Sequence, residues 1–115
     1  MNVEIRYMAR VKEEALDGLA RELPAIIAGV LEVPGGKMAI VRPEQVSLEF
    51  SPASSRDVGD DIRIKVFARS NDPRTSTEHA LAREILDKVM AVVGGGCSID
   101  VRLYLLEVGK AHHLP

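Results

Sequence analysis

The chain has 115 residues, 46% of them hydrophobic, which is enough to bury the core of one domain without a metal or a disulfide. The net charge of −2 lacks the basic surplus of a dedicated nucleic-acid binder, so we expect no nucleic-acid partner. With the single Cys97 an intrachain disulfide is excluded. A charged N-terminus without the apolar stretch of a signal peptide predicts a cytoplasmic protein. The uncharged runs 23–31 and 89–99 are too short to span a bilayer, so we expect no membrane partner.

The first half of the chain predicts a strand, a helix and a second strand. Apolar and polar residues alternate over 3–7, which is the period of a strand with one buried face. Apolar residues then recur at steps of three and four, which is helical: Leu16, Leu19, Leu23, Ile26, Ile27 and Val30. Pro24 predicts a kink in this helix or two consecutive segments. The sequence VPGG at 33–36 ends the helix, and alternation returns over 46–50.

The second half repeats this order. Alternation over 62–68 predicts a third strand, and Thr75 and Glu78 have the spacing of a helix-capping box. The apolar stripe of the second helix consists of Leu81, Ile85, Leu86, Val89, Met90 and Val93. Three glycines at 94–96 end that helix, and alternation over 99–105 predicts the last strand.

The two halves resemble each other in sequence. IRYMAR at 5–10 matches IKVFAR at 64–69, and VSLEF at 46–50 matches VRLYL at 101–105. We therefore predict a single domain over 1–115, made of two β-α-β units at about 1–51 and 61–108 with a short C-terminal tail. Right-handed crossovers would give an α+β fold, a four-stranded mixed sheet with both helices on one face.

The other side of this sheet, called the uncovered face below, is predicted to be polar and mixed in charge. It carries Glu4, Arg6, Ser47, Glu49, Arg63, Lys65, Arg102 and Tyr104. This face is either solvated or the water-filled interior of an oligomer, and four strands with exposed edges favour assembly. Tyr104 is the one aromatic residue assigned to it, which is weak support for stacking of single-stranded RNA.

A tandem β-α-β pair of this length resembles the tautomerase superfamily, which includes macrophage migration inhibitory factor and 4-oxalocrotonate tautomerase. The resemblance spans the chain from Val3 to about Val108 and rests on the repeat, the alternation and the basic residue after strands one and three. It implies a homotrimer with sheets inside and helices outside. It also implies acid–base chemistry by an N-terminal proline, with arginines that bind a substrate carboxylate.

The sequence departs from this pattern at its start, because Met1-Asn2 stands where the proline would be. The resemblance leaves Arg10, Arg42 and Arg69 as candidates for binding a small carboxylate, against the alternative of solvated or salt-bridged surface arginines. We expect either a keto–enol isomerase with non-proline chemistry or a non-catalytic relative, without a cofactor. The alternatives are a ferredoxin-like metabolite- or protein-binding module and a purely structural interaction protein. Strand order separates the first two, because the ferredoxin-like fold places strand three between strands one and two.

Three further features have plainer interpretations. Cys97 follows the C-terminal end of a helix, where the dipole disfavours a thiolate. His112 and His113 lack further ligands at suitable spacing, so we expect a tail and no metal site. The glycines at 94–96 follow a helix, whereas phosphate-binding loops precede one.

Overall fold

The computed structural model describes residues 1–32, 42–69, 78–107 and 109–115. The elements, in chain order, are β1 (Asn2–Tyr7), α1 (Glu13–Leu31), a short 3-10 turn (Pro43–Gln45), β2 (Ser47–Pro52), β3 (Ile62–Arg69), α2 (Glu78–Val93) and β4 (Ile99–Leu106). The predicted α+β fold of two successive β-α-β units is confirmed. The predicted stop at 33–36 and Thr75 of the predicted capping box lie outside the described residues.

The four strands form one mixed sheet in the order β2-β1-β3-β4. Within each half the two strands are direct parallel neighbours, and the halves join through the antiparallel pair β1–β3. In this register Val3 lies beside Leu48 on β2 and beside Val66 on β3. The ferredoxin-like alternative is therefore wrong as a fold, since β3 does not separate β1 from β2.

The core lies between the sheet and the two helices and is aliphatic. On β3 the buried residues are Ile62, Ile64, Val66 and Ala68, as the alternation predicts. Ile5 of β1 and Leu19, Leu23 and Ile27 of α1 are fully buried against the same face. The opposite face of β1 is exposed, which confirms that both helices lie on one side of the sheet.

The first helix runs without interruption through Pro24, so the alternative of two consecutive segments is wrong. Proline removes only the bond to the carbonyl of Ala20, and the buried side chains of Leu23 and Ile27 hold the turns on both sides of it in the core. No helix in the described part of the chain combines the length and hydropathy needed to cross a bilayer.

The second helix buries a narrower stripe than the sequence predicts. Ile85 and Val89 are fully buried, but Met90 is 43% exposed. Val92 lies on the α1 side instead, close to Gly18. Steps of four and three lead from Ile85 through Val89 to Val92, and Met90 is turned about 100° away from Val89. Gly94 then ends the helix at a positive φ of 83°, and its N–H donates to the carbonyl of Met90 at 2.9 Å.

Candidate functional site

The N-terminus lies at one end of the sheet, called the Met1 end below. Because β1 and β3 are antiparallel with Asn2 beside Phe67, the last residue of β3, Arg69, extends to this end. The Met1 carbonyl accepts a hydrogen bond from the N–H of Ser47 at 2.9 Å, which fixes residue 1 against the start of β2.

A short turn connects the N-terminal amine with Arg42. The amine of Met1 donates to the carbonyl of Gln45 at 3.2 Å. The side chain of Gln45 turns back, and its Oε1 accepts the N–H of Arg42 at 2.9 Å. Pro43 opens this 3-10 turn, where its restricted φ suits the geometry. Three of the residues singled out in the sequence, Met1, Arg42 and Arg69, thus lie at the same end of the sheet.

Arg10 lies at the opposite end. Its guanidinium forms an ion pair with Asp61, which directly precedes β3. Oδ2 of the buried Asp61 also accepts the N–H of Ser98 at 3.0 Å, and Ser98 Oγ accepts the N–H of Asp61 at 2.9 Å. The bond from the Ser98 N–H, and then Arg10, hold the pKa of the Asp61 carboxyl below its ordinary value of 3.8. Arg10 is therefore held by a partner within the fold, and the candidate arginines do not form a single cluster.

The uncovered face contains a cavity of about 230 Å³ between Glu4, Arg6, Ser51, Arg63 and Lys65. Four of these residues belong to the face predicted from alternation. Ser51 was missed, because its neighbours in the sequence are typical of a polar turn, whereas the structure extends β2 through Ser51 to Pro52. Ser47 and Glu49 lie on this face two residues apart, and the same two-residue period places Ser51 there as well.

Asp57, in the loop between β2 and β3, bonds to Arg6 at one side of the uncovered face. Its Oδ2 accepts from Arg6 Nη1 at 2.7 Å and from the N–H of Ser54 at 3.1 Å, and its Oδ1 accepts from Ser54 Oγ at 3.0 Å. These bonds, with Arg6 first, lower the pKa of Asp57 from its ordinary value of 3.8. The loop between β2 and β3 is thereby tied to the sheet through one carboxylate.

The uncovered face also carries a second aromatic residue. Phe67 stacks on Tyr104 with ring centroids 5.0 Å apart, so the assignment of Tyr104 as the one aromatic residue on this face was wrong. Phe67 has the same parity on β3 as Arg63 and Lys65, and alternation would have placed it there.

The remaining candidates lie apart from these features. His112 and His113 belong to an exposed stretch at 109–115, and Cys97 is partly buried. Across the ranges that the structure describes, no group of three or more His, Cys, Asp or Glu side chains is placed to hold a metal ion.

Comparison with known proteins gives likeness to solved structures alone: no family model and no curated protein matches the chain. A member of the cis-3-chloroacrylic acid dehalogenase family superposes with a TM-score of 0.71 at 14% identity, covering 100% of this chain and 84% of that one. A fused 4-OT (4-oxalocrotonate tautomerase), a symmetric trimer, gives 0.61 at 18% identity, covering 99% and 94%. A macrophage migration inhibitory factor-like protein from Entamoeba histolytica gives 0.62 at 14% identity, covering 96% and 95%.

Proposed function

We propose, on the premise that this chain has the fold of the tautomerase superfamily, that it is a trimeric relative that binds a small carboxylate at the Met1 end and performs no proline-dependent tautomerisation. The observation that carries the proposal is the gathering of the Met1 amine, Arg42 and Arg69 at one end of the sheet. A guanidinium binds a carboxylate through two parallel N–H bonds, which gives both affinity and orientation.

The state of the N-terminal amine supports binding over catalysis. A general base in this position must present a nitrogen lone pair to a carbon acid. In the resemblance this base is the ring nitrogen of a proline, whereas this chain has Met1-Asn2, and its Met1 amine is positioned by a hydrogen bond to the Gln45 carbonyl. The N–H donor of Met1 and the positive guanidinium groups of Arg42 and Arg69 suit an anionic ligand. Glu44 and Glu107 lie at the same end and oppose this charge, so we expect selectivity for singly charged ligands.

Assembly into a trimer is supported by two observations. The sheet has open edges at β2 and β4, whose backbone groups are available for pairing with another subunit. One similar structure, the fused 4-OT, is a symmetric trimer. Sedimentation equilibrium should therefore give three times the chain mass of 12.5 kDa, and a strict monomer would contradict this part of the proposal.

The test of binding is a calorimetric titration with phenylpyruvate, a small keto acid. Arg42→Ala and Arg69→Ala should each weaken binding about tenfold or more, the usual effect of removing one charge-assisted hydrogen bond. Arg83→Ala is the matched control, because Arg83 lies on the exposed surface of α2 and pairs with Asp87 at 3.2 Å. Circular dichroism of each variant checks that the fold is retained.

A ketonisation assay on the same samples distinguishes a non-catalytic relative from a keto–enol isomerase with non-proline chemistry. We expect no ketonisation of phenylpyruvate above the buffer rate. Turnover that is lost in Arg69→Ala would favour the keto–enol isomerase with non-proline chemistry. Equal affinity of Arg42→Ala, Arg69→Ala and Arg83→Ala for phenylpyruvate would overturn the binding site at the Met1 end.

A further inference from the structure

Four cationic side chains lie on the uncovered face, away from the Met1 end: Arg6, Arg63, Lys65 and Arg102. The register sets Arg6 directly beside Arg63 across β1 and β3, and Lys65 directly beside Arg102 across β3 and β4. Like charges in register destabilise a strand pair unless counter-charges lie nearby. The partners of each cation within the chain therefore show which of the four cations could bind an external anion.

Two of these cations have good partners. Arg6 Nη1 lies 2.7 Å from Asp57 Oδ2, and Arg102 Nε lies 3.0 Å from Asp100 Oδ2. Lys65 lies beside Glu4 in register, yet neither forms an ion pair with any residue that the structure describes. Lys65 is exposed, and its ammonium group is available to a ligand.

Arg63 is left with unmet donors. Its Nε and Nη2 are buried and have no hydrogen-bond acceptor among the described residues. The nearest carboxylate oxygen, Asp57 Oδ2, is 3.8 Å from Nη2 and already accepts from Arg6 and from the N–H of Ser54. Buried donors without acceptors are costly and rare in folded proteins, so an acceptor from outside the chain would be strongly favoured.

The loop between β2 and β3 packs close to this guanidinium. A Cβ on Gly59 would lie 3.4 Å from Cδ, Cζ and Nη1 of Arg63, which is van der Waals contact, so the loop backbone lies directly against this side chain. This packing leaves the Arg63 side chain only 29% exposed. Partial burial strengthens its attraction for an anion relative to a fully hydrated arginine.

We infer that the cavity between Arg6, Arg63, Lys65 and Ser51 is a binding site for a small oxyanion, a phosphate or a carboxylate group. Its volume of about 230 Å³ is below the range of drug-sized pockets, which fits an inorganic or small organic anion. Ser51 supplies a hydroxyl donor, and Arg63 lines the cavity with a guanidinium group whose Nε and Nη2 lack acceptors among the described residues. Glu4 also lines the cavity and opposes the anion, so its replacement by glutamine strengthens binding. This site is independent of the Met1 end.

The test is a titration followed by amide NMR, with inorganic phosphate in one arm and citrate in the other. Lys65→Gln should weaken binding of the preferred anion about tenfold or more, and Glu4→Gln should strengthen it several-fold. Both residues are exposed, so neither change threatens the fold. Arg63→Gln should abolish the shifts around the cavity, with circular dichroism to confirm folding.

Matched controls carry the same change of charge elsewhere. Arg83→Gln on the surface of α2 and Glu14→Gln on the exposed side of α1 should leave the affinity within twofold of the wild type. Saturable binding of phosphate alone or citrate alone supports the site and identifies the anion class. Absence of saturable binding in both arms, or equal effects of Lys65→Gln and Arg83→Gln, would overturn it.

Discussion

The rings of Phe67 and Tyr104 stack almost parallel, with centroids 5.0 Å apart and planes inclined by 11°, on the face of the sheet that the helices leave uncovered. The two residues are direct neighbours in the register of β3 and β4. Each side chain is partly exposed, so the stack shields two aromatic faces from water without any contribution from the core. The pair therefore stabilises the contact between β3 and β4 on the uncovered face.

A double-mutant cycle measures the interaction free energy between Phe67 and Tyr104. We expect Phe67→Leu and Tyr104→Leu to be coupled by about 0.5–1.5 kcal/mol in the free energy of unfolding, the range of stacked aromatic pairs beyond their buried area. Urea unfolding of the four proteins gives the coupling. Phe50→Leu is the control partner for Tyr104→Leu, because Phe50 packs against the core on the other side of the sheet. Additive effects of Phe67→Leu and Tyr104→Leu would contradict the prediction.

Local periodicity predicted the features that depend on one strand or helix at a time. The burial of Ile62, Ile64 and Val66 follows from the two-residue period of a strand, whatever lies beside it. Exposure of Met90 depends on where α1 packs, which a single helix does not reveal. The uncovered face followed from the repeat, since two similar β-α-β units bury the same face. The strand order did not follow from it, because a ferredoxin-like fold has the same order of elements along the chain.

The contacts of the candidate sites depend on residues far apart in the chain. Arg10 and Asp61 are 51 positions apart, and no sequence pattern links them. The same separation joins Arg6 to Asp57, so the anchoring of the loop over the cavity was also unpredictable. The family resemblance singled out the three arginines, and the fold divides them between the two ends of the sheet.

Two glycines of α1 should respond oppositely to alanine. Nothing lies within 4 Å of a Cβ placed on Gly29, so Gly29→Ala should stabilise the protein by about 0.5–1 kcal/mol through its higher helix propensity. A Cβ on Gly18 would lie 3.1 Å from Val92 Cγ1, at the contact between the helices. The overpacking at this contact should cancel the stabilisation that alanine brings through its helix propensity, or exceed it by about 1 kcal/mol. Thermal unfolding of both variants tests this, and equal stabilisation would contradict the tight contact.

The glycines after α2 provide a second matched pair. Gly94 has a φ of 83°, whereas Gly95 does not have a positive φ, and both have open space at the Cβ position. Gly94→Ala should therefore destabilise by about 1 kcal/mol through backbone strain alone. Gly95→Ala should be neutral or slightly stabilising, because it restricts the unfolded chain. Chemical denaturation compares the two, and an equal loss in both would show that the left-handed conformation is not the cause.

The hydrogen bonds between Asp61 and Ser98 should make the thermal stability of the fold depend on pH. Hydrogen bonds from Ser98 and Arg10 lower the folded-state pKa of Asp61 below its ordinary value of 3.8. A lowered carboxyl pKa stabilises the fold above the unfolded pKa, and this contribution is lost as the pH falls through the folded pKa. Asp61→Asn should accordingly lower the Tm by several degrees at pH 7, and the difference from the wild type should shrink below pH 3.8.

Asp60→Asn is the control for this change, because the adjacent Asp60 is exposed and makes no ion pair with the residues that the structure describes. It should leave the Tm at pH 7 nearly unchanged. Arg10→Gln should reproduce part of the Asp61→Asn effect, since the bond from the Ser98 N–H, which is the larger cause of the lowered pKa, remains. Scanning calorimetry of the four proteins between pH 3 and pH 7 decides the matter. A Tm difference between wild type and Asp61→Asn that stays constant over this range would show that the charge of the Asp61 carboxylate does not contribute to stability.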